Sequence, residues 1–154
     1  MVTSKFVKET RIIASPAAVF RFHEDPSALS LLIPPWEKMR LLERIGSLEP
    51  GGRVILQGRV GPIPVRWVAV HTEYAPPHLF VDEQESGPFA YWRHQHMFLD
   101  DAQGGTILRD EVDYAAPLGW LGHLCGGWLI RRKLEAMFAY RHDVTKRAVE
   151  SAEQ

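Results

Sequence analysis

His94 and His96 are the residues of this sequence best suited to chemistry. They lie two positions apart in YWRHQHMF, residues 91–98, whose side chains alternate in the manner of a β-strand. Alternate side chains of an extended chain share one face, so Trp92 and Phe98 are predicted to flank the two imidazoles. Imidazoles in such a place can act as catalytic bases, as metal ligands or as polar groups that line an apolar pocket.

A second alternating segment, residues 105–116, is predicted to bring a carboxylate to these imidazoles. Its inward-facing residues are Leu108, Asp110, Val112 and Tyr114. If the turn at 100–105 closes a hairpin, His96 lies opposite Asp110 or opposite Val112, depending on the register. In either register we expect the side chains of His96 and Asp110 to lie close together.

A third strand and the last helix offer further polar groups. The inward-facing residues predicted for that strand are Phe80, Asp82 and Gln84. Leu79 and Val81 could equally occupy this face. Arg141 lies near the centre of the apolar stripe of the last predicted helix, where a guanidinium is costly without a partner. We expect Asp110 or Asp82 to be that partner.

The elements that must hold these residues follow from periodicity and turn signals. Residues 4–14 read as a strand that ends at a helix-start pair, Ser15-Pro16, and two short helices follow. From 36 to 116 the turns are too closely spaced for crossover helices, so six strands are predicted to pair antiparallel as a meander. After Pro117 an amphipathic pattern predicts a long helix, with a kink or a separate short helix at Gly126-Gly127.

The order of these elements resembles the helix-grip superfamily known as START-like, SRPBCC or polyketide cyclase/dehydrase-like. The segments that carry the resemblance are SPAAVFRFHEDPSALSLLIPPW, GPFAYWRHQH, TILRDEVDYAAPLG and KLEAMFAYRH. The resemblance covers nearly the whole chain and is greatest to a bacterial ligand-binding branch. It implies an α+β helix-grip fold in which about seven antiparallel strands curve around the C-terminal α-helix, with residues 1–154 as a single domain. Relatives bind lipids, sterols, hormones or polyketides, and some are cyclases or hydratases, so it implies a cavity rather than one reaction.

We therefore predict that the protein binds a hydrophobic small molecule, lipid-, polyketide- or aromatic-like, between the sheet and the last helix. The predicted ligand-binding residues are Trp67, Phe80, Phe89, Trp92, His94, His96, Phe98, Asp110, Tyr114, Phe138 and Arg141. An alternative is a cyclase or dehydratase in which His96 is the catalytic base and Asp110 fixes its tautomer. A purely structural role for the histidines, hydrogen-bonded to neighbouring strands, is a further alternative.

A protein-interaction or regulatory module is the third functional alternative. An exposed apolar patch at the start of the last helix would favour it, and the residues concerned are Trp120, Leu121, Trp128 and Leu129. The same patch could cap the cavity or form a homodimer. Cys125 lies in this apolar segment, where we expect a buried thiol without a role.

Composition excludes several other classes. The net charge is −1 and the basic residues are spread along the chain, so we expect no nucleic-acid partner. The chain has no apolar run near the roughly 20 residues that span a bilayer, and its first residues lack a secretory pattern, so we expect a cytoplasmic protein. His-x-His spacing is common and aromatic neighbours favour a dry pocket, so we expect no metal site and no cofactor.

Overall fold

The computed structural model describes residues 1–154, except for the side chain of Trp120. The strands are β1 (Ser4–Ile12), β2 (Arg40–Ile45), β3 (Arg53–Val60), β4 (Ile63–Ala75), β5 (Leu79–Ser86), β6 (Tyr91–Asp100) and β7 (Thr106–Ala115). The helices are α1 (Pro16–Glu24), α2 (Ala28–Leu31) and α3 (Gly119–Ala152).

All seven strands form one antiparallel sheet in the order β1-β7-β6-β5-β4-β3-β2. The strands from β2 to β7 pair with their neighbours in sequence, which confirms the predicted meander, and β1 returns to pair with β7 along its whole length. Bulges in the pairing of β2 with β3 and of β4 with β5 interrupt the register and add to the twist of the sheet. The architecture is the helix-grip α+β fold that the sequence predicts.

The two short helices follow β1 as predicted. Ser15 caps α1 because its hydroxyl accepts a hydrogen bond from the backbone N–H of Ala18 at 3.2 Å, and Pro16 occupies the first helical position. Val19 and Phe20 are the buried residues of α1, and His23 follows them at the last turn. Helix α2 is a single turn, and the carbonyl of Leu32 at its end accepts a hydrogen bond from Arg141 of α3. Helix α1 contacts α3 and the strands β6 and β7, whereas α2 contacts β2.

Helix α3 runs through Gly126-Gly127 without interruption, so a separate short helix at this point was a wrong expectation. Glycine lowers helix propensity by only about 1 kcal/mol per residue, which a helix of this length tolerates. The buried residues of its second half recur at helical spacing, and they are Leu134, Phe138, His142, Thr145 and Val149. No helix in the described part of the chain combines the length and apolar character that crossing a bilayer requires.

A layer of polar side chains divides the core between sheet and helices into two apolar clusters. On β6, Phe98 belongs to one cluster and Trp92 to the other, and His94 and His96 lie between them. On α3, the buried His142 likewise lies between Phe138 of one cluster and Val149 of the other. Buried polar groups at the middle of a core must be paired with each other or with a ligand. The candidate functional site is this layer.

Candidate functional site

Strand register brings the predicted imidazoles and carboxylates together. His96 lies opposite Asp110 in the pairing of β6 with β7, which is one of the two registers that the sequence allowed. His94 lies opposite Asp82 in the pairing of β5 with β6, and Phe80 lies opposite His96. The phenyl ring of Phe80 stacks on the imidazole of His96 with ring centroids 3.9 Å apart. The assignment of Phe80 and Asp82 to the inward face is therefore confirmed.

Each of the two imidazoles lies between the same two carboxylates. Asp110 Oδ1 is 2.7 Å from His94 Nε2 and 3.1 Å from His96 Nδ1. Asp82 Oδ2 is 2.8 Å from His96 Nε2 and 3.6 Å from His94 Nδ1. The imidazole rings face each other, with centroids 3.6 Å apart. We call these four residues the His–Asp ring.

His142 is the member of the layer that sequence reasoning missed. Its Nε2–H donates to Asp110 Oδ2 at 2.6 Å, and its Nδ1 is 2.8 Å from the hydroxyl of Thr10. Asp110 thus accepts hydrogen bonds from two histidines of β6 and from one histidine of α3. The pattern along the last helix groups His142 with the polar residues that flank the apolar stripe, so His142 was not a predicted site residue. A usable signal was present, since His142 is one turn after Phe138 on the same helical face.

Burial and pairing set the charges of the layer. Burial acts to raise the pKa of Asp110, but His94, His142 and His96 outweigh it and hold this pKa well below its ordinary value. Burial lowers the pKa of His94. Burial also acts against a charged His96, yet its contacts with Asp110 and Asp82 raise its pKa overall. Against the effect of burial, contacts with the histidines also lower the pKa of Asp82, so both carboxylates are ionised. Of the two imidazoles on β6, His96 more readily holds an extra proton.

His23 and His71 complete the polar lining, and neither was a predicted site residue. The ring of His23 contacts the backbone carbonyl of Val19 through Nδ1 at 2.9 Å, and burial lowers the pKa of His23 to about 4. His71 lies on β4, opposite Asp82 of β5, and is 5% exposed. Its Nδ1 is buried without a hydrogen-bond partner among the described residues, as is Nε1 of Trp67. These two buried nitrogens belong to residues that line the inner pocket, and both are therefore available to a ligand.

Two adjacent pockets open beside the His–Asp ring. The inner pocket, with a volume of about 120 Å³, has a polar part formed by His23, Arg44, His71, Asp82, His94, His96 and Arg141. The outer pocket, of about 310 Å³, lies between the rim of β3 and β4 and the first half of α3. The wall shared by both pockets consists of Met39, Leu56, Trp67, Trp92 and Met137. The two spaces therefore adjoin, one mixed in polarity and the other mainly apolar.

The predicted ligand-binding residues divide into those that line a pocket and those that lie behind it. The lining residues are Trp67, Phe80, Phe89, Trp92, His94, His96 and Arg141. The residues buried in the core behind the lining are Phe98, Asp110, Tyr114 and Phe138. Gln84 is committed elsewhere, because its amide donates to the carbonyl of Phe89 at 2.8 Å and accepts from the N–H of the same residue. A ligand contact for any of these residues stays a prediction.

Arg141 is half-buried and lines the same pocket as Asp82, but it pairs with neither carboxylate. Its Nε–H donates to the backbone carbonyl of Leu32 at 3.2 Å, and no carboxylate oxygen of the described residues lies within ion-pairing distance. The expected ion pair with Asp110 or Asp82 is therefore wrong. The physical reason is that Leu32 ends α2, where carbonyl groups lack helical partners and attract a cation. Burial lowers the pKa of Arg141, and its guanidinium lines the inner pocket.

The start of α3 is apolar and exposed. Large apolar residues there with high exposure are Leu118, Leu121, Leu124, Trp128 and Leu129. The side chain of Trp120, which the sequence also assigned to this patch, lies outside the described residues. Cys125 is exposed, so the expectation of a buried thiol is wrong, because this part of α3 leaves its apolar side chains, Leu124 and Trp128 among them, open to solvent. Leu129 also lines the outer pocket, so the patch adjoins the pocket.

The sequence profile described as polyketide cyclase / dehydrase and lipid transport matches residues 12–138, which is most of the chain. The chain belongs to this family. Membership in the polyketide cyclase/dehydrase and lipid transport family confirms the START-like resemblance stated above. No curated protein sequence matches the chain.

Solved structures show the same fold at low sequence identity. A norcoclaurine synthase from Thalictrum flavum, crystallised with a transition state analogue, matches with a TM-score of 0.76 at 16% identity over 99% of this chain and 98% of that one. A Thermus thermophilus protein matches with a TM-score of 0.75 at 18% identity, over 98% and 100% of the two chains. The di-domain ARO/CYC BexL matches with a TM-score of 0.70 at 20% identity, over 96% of this chain and 50% of BexL. At these identities the similarity shows the fold alone.

Proposed function

We propose that the protein binds one small, mostly apolar molecule that carries an oxygen function at one end. The observation that supports this proposal is the pair of adjoining pockets, the inner one lined partly by histidines and Arg141 and the outer one mainly apolar. A ligand that spans both would bury its apolar body in the outer pocket and its polar end in the inner one. The family description, which names cyclases, dehydrases and lipid transport, is consistent with such a ligand.

The donors of the inner pocket define the polar end of the ligand. The guanidinium of Arg141 carries donors only, and one of them is used by Leu32. Nε1 of Trp67 is also donor-only and has no partner in the described part of the chain. A buried donor without a partner costs about 1–3 kcal/mol, so Trp67 favours a ligand that brings an acceptor. A carboxylate or an enolate oxygen suits the pocket best, because the half-buried guanidinium of Arg141 adds a positive charge to the same lining.

The outer pocket sets the size and character of the apolar body. Its volume of about 310 Å³ lies at the lower end of the range for small-molecule sites. Phe89, Trp67 and Trp92 pack against one another here, with ring centroids between 4.9 Å and 5.6 Å apart. Flat aromatic walls favour a flat partner through offset or edge-to-face contacts. An aromatic or fused-ring body therefore fits this pocket better than a long flexible chain.

Catalysis in the same pocket is the second candidate. The observation that favours it is the position of His96, which lines the inner pocket and contacts both Asp110 and Asp82 within 3.1 Å. Because both of its ring nitrogens face ionised carboxylates, His96 could donate a proton to a carbonyl or hydroxyl oxygen as a general acid, as cyclisation or dehydration requires. The solved structures with this fold include a synthase and an ARO/CYC protein, so the fold can support catalysis, but it assigns no reaction to this chain.

Native mass spectrometry of the freshly purified protein tests the binding proposal. We expect an adduct of one small molecule per chain, or saturable binding of an apolar fluorescent probe. The Val65→Trp variant places a large side chain in the outer pocket and should abolish both signals. The matched control is Val7→Trp, which adds the same side chain on an exposed position of β1 and should change neither. An adduct that survives Val65→Trp, or the absence of any adduct and any probe binding, would overturn the proposal.

A further inference from the structure

We infer that Asp82, His94 and His96 form a binding site for a divalent transition-metal ion such as Zn²⁺. One ligand atom from each of these residues lies within 4.8 Å of the others. His94 Nδ1 and His96 Nε2 both face Asp82 Oδ2, at 3.6 Å and 2.8 Å. Ligands bound to zinc at about 2.0–2.1 Å in tetrahedral geometry are separated by about 3.3 Å. The two separations from Asp82 Oδ2 are therefore each within about 0.5 Å of the spacing that one ion requires.

Asp110 supplies the outer support that metal-binding histidines require. The nitrogens of His94 and His96 that do not face Asp82 both face Asp110, at 2.7 Å and 3.1 Å. A carboxylate that accepts the second ring N–H of a ligating histidine fixes its tautomer and directs the other nitrogen's lone pair to the metal. Here a single carboxylate does this for both imidazoles. His142 holds the other oxygen of Asp110 at 2.6 Å and so fixes the carboxylate itself.

His71 gives an independent indication that a ligand belongs beside these residues. It is 5% exposed, lies opposite Asp82 in the pairing of β4 with β5, and lines the inner pocket. Its buried Nδ1 has no hydrogen-bond partner among the described residues. An unpaired buried nitrogen on the residue opposite Asp82 is explained if it contacts a water or another molecule bound to the ion. Two imidazoles and a carboxylate with an open fourth position are typical of catalytic zinc and non-haem iron sites.

Charge also favours a cation at this place. Asp82 and Asp110 bring two carboxylates into a part of the core where their side chains are at most 15% exposed. Buried carboxylates are normally paired or coordinate metals. The sequence predicted no metal site, since His-x-His spacing is common and aromatic neighbours favour a dry pocket; the structure adds the positions of the three ligand atoms, with Asp82 on the neighbouring strand. A metal occupies the nitrogen that would otherwise carry a catalytic proton on His96, so this inference competes with the acid–base candidate and not with ligand binding.

Equilibrium dialysis of the chelator-treated full chain against Zn²⁺, with metal analysis of the protein, is the first test. We expect one ion per chain, and binding of Co²⁺ should give an intense visible absorption of a four-coordinate site and quench tryptophan fluorescence through Trp67 and Trp92. The metal alone is the probe, so the outcome does not depend on the organic ligand. A chain that binds no stoichiometric Zn²⁺ and shows only the spectrum of hydrated Co²⁺ overturns the inference without the use of any variant.

Substitutions then locate the site. Asp82→Asn and His96→Gln should each weaken Zn²⁺ binding at least 100-fold, by the order of magnitude expected for loss of one of three ligands, and Asp110→Asn should weaken it about 10–100-fold through its outer position. The matched control is His78→Gln, which changes an exposed histidine that also contacts an aspartate, Asp100, at 3.0 Å. It should change the affinity less than twofold. Equal losses in the control and the site variants, or full affinity in Asp82→Asn, would contradict the assignment.

Discussion

His142 and Asp110 join the final helix to the middle of the sheet, with Nε2 of the histidine 2.6 Å from Oδ2 of the aspartate. The other ring nitrogen of His142 contacts the hydroxyl of Thr10 on β1 at 2.8 Å. The histidine thus links α3 to β1 and β7, two strands that are neighbours in the sheet. Both side chains are nearly inaccessible to water, so solvent does not replace these hydrogen bonds when one partner is removed.

The first prediction concerns the stability that this link contributes. His142→Leu keeps a side chain of similar size but removes both hydrogen bonds, and should lower the free energy of unfolding by about 1.5–3 kcal/mol, the range for hydrogen bonds to charged groups. Urea unfolding in the presence of a chelator measures this loss. The matched control is His78→Leu, which breaks the exposed pair with Asp100 and should cost less than about 0.5 kcal/mol. Equal losses of unfolding free energy in the two variants would show that the buried hydrogen bonds of His142 stabilise the fold no more than the exposed pair does.

The second prediction is a pH dependence from His23. Burial is the main cause that lowers its pKa from 6.5 to about 4, and the nearby His96 and His142 act in the same direction while Val19 and Asp110 act against it. The unfolded chain binds a proton at this residue below pH 6.5, whereas the folded chain does not until about pH 4. Stability from this residue is therefore complete above pH 6.5 and is lost as the pH falls towards 4, by at most about 3 kcal/mol.

His23→Leu isolates that contribution. The difference in unfolding free energy between the wild type and this variant should shrink, or change sign, between pH 7 and pH 4, because the variant cannot take up the proton. Phe22→Leu is the control, since it removes packing at the neighbouring position and nothing that titrates. Its stability difference from the wild type should be the same at both pH values. Parallel pH curves for the wild type and His23→Leu would be evidence against a neutral buried His23.

The inward row of each strand could be predicted from the sequence because alternation needs no knowledge of other elements. It placed His94, His96 and Asp110 on one face, allowed two registers, and left the face of Asp82 open; backbone pairing selected the register with His96 opposite Asp110 and put Asp82 opposite His94. Contacts across layers were beyond this reasoning. The place of His71 depends on how β4 pairs with β5 around a bulge, which a pattern along one strand does not specify.

Arg141 shows the same division between local and tertiary information. Helical periodicity placed it correctly towards the interior, because the angle around a helix follows from spacing alone. Its partner could not be predicted, since that partner is a backbone carbonyl, Leu32, whose availability depends on where α2 ends. Sequence patterns assign side chains to faces and carry little information on free backbone acceptors. An ion pair was therefore expected where the structure has a hydrogen bond to a helix end.

The third prediction concerns the apolar patch at the start of α3. Exposed apolar groups of this size are uncommon on monomers, and we expect the chain to self-associate through them. Cys125 is a reporter, because it is exposed on the same helical face as Leu121 and Trp128. Its reaction with an aromatic disulfide reagent should slow as the protein concentration rises, in step with the mass measured by sedimentation. A labelling rate that does not depend on protein concentration, together with a monomeric mass at every concentration, would rule out self-association.

Trp128→Lys tests whether this patch is the contact. It should make both the sedimentation mass and the labelling rate independent of concentration, because a buried ammonium without a partner disfavours association. Leu31→Lys introduces the same charge at an exposed leucine of α2 and serves as the control. If Leu31→Lys dissociates the oligomer while Trp128→Lys does not, the chains associate through a different surface.

The fourth prediction concerns the polarity of the ligand's inner end. Anilinonaphthalene sulfonate and the neutral N-phenylnaphthylamine share an aromatic body but differ in charge, so their affinities separate the contribution of an anion from that of apolar burial. Arg141→Met should weaken the anionic probe about 10-fold or more, as loss of a charge-assisted hydrogen bond implies, and leave the neutral probe within twofold. Arg132→Met removes an exposed guanidinium from the same helix and should affect neither probe. Equal weakening of both probes in Arg141→Met would mean that the arginine shapes the pocket without binding an anion. The structure would then give no reason to expect an acidic group on the ligand.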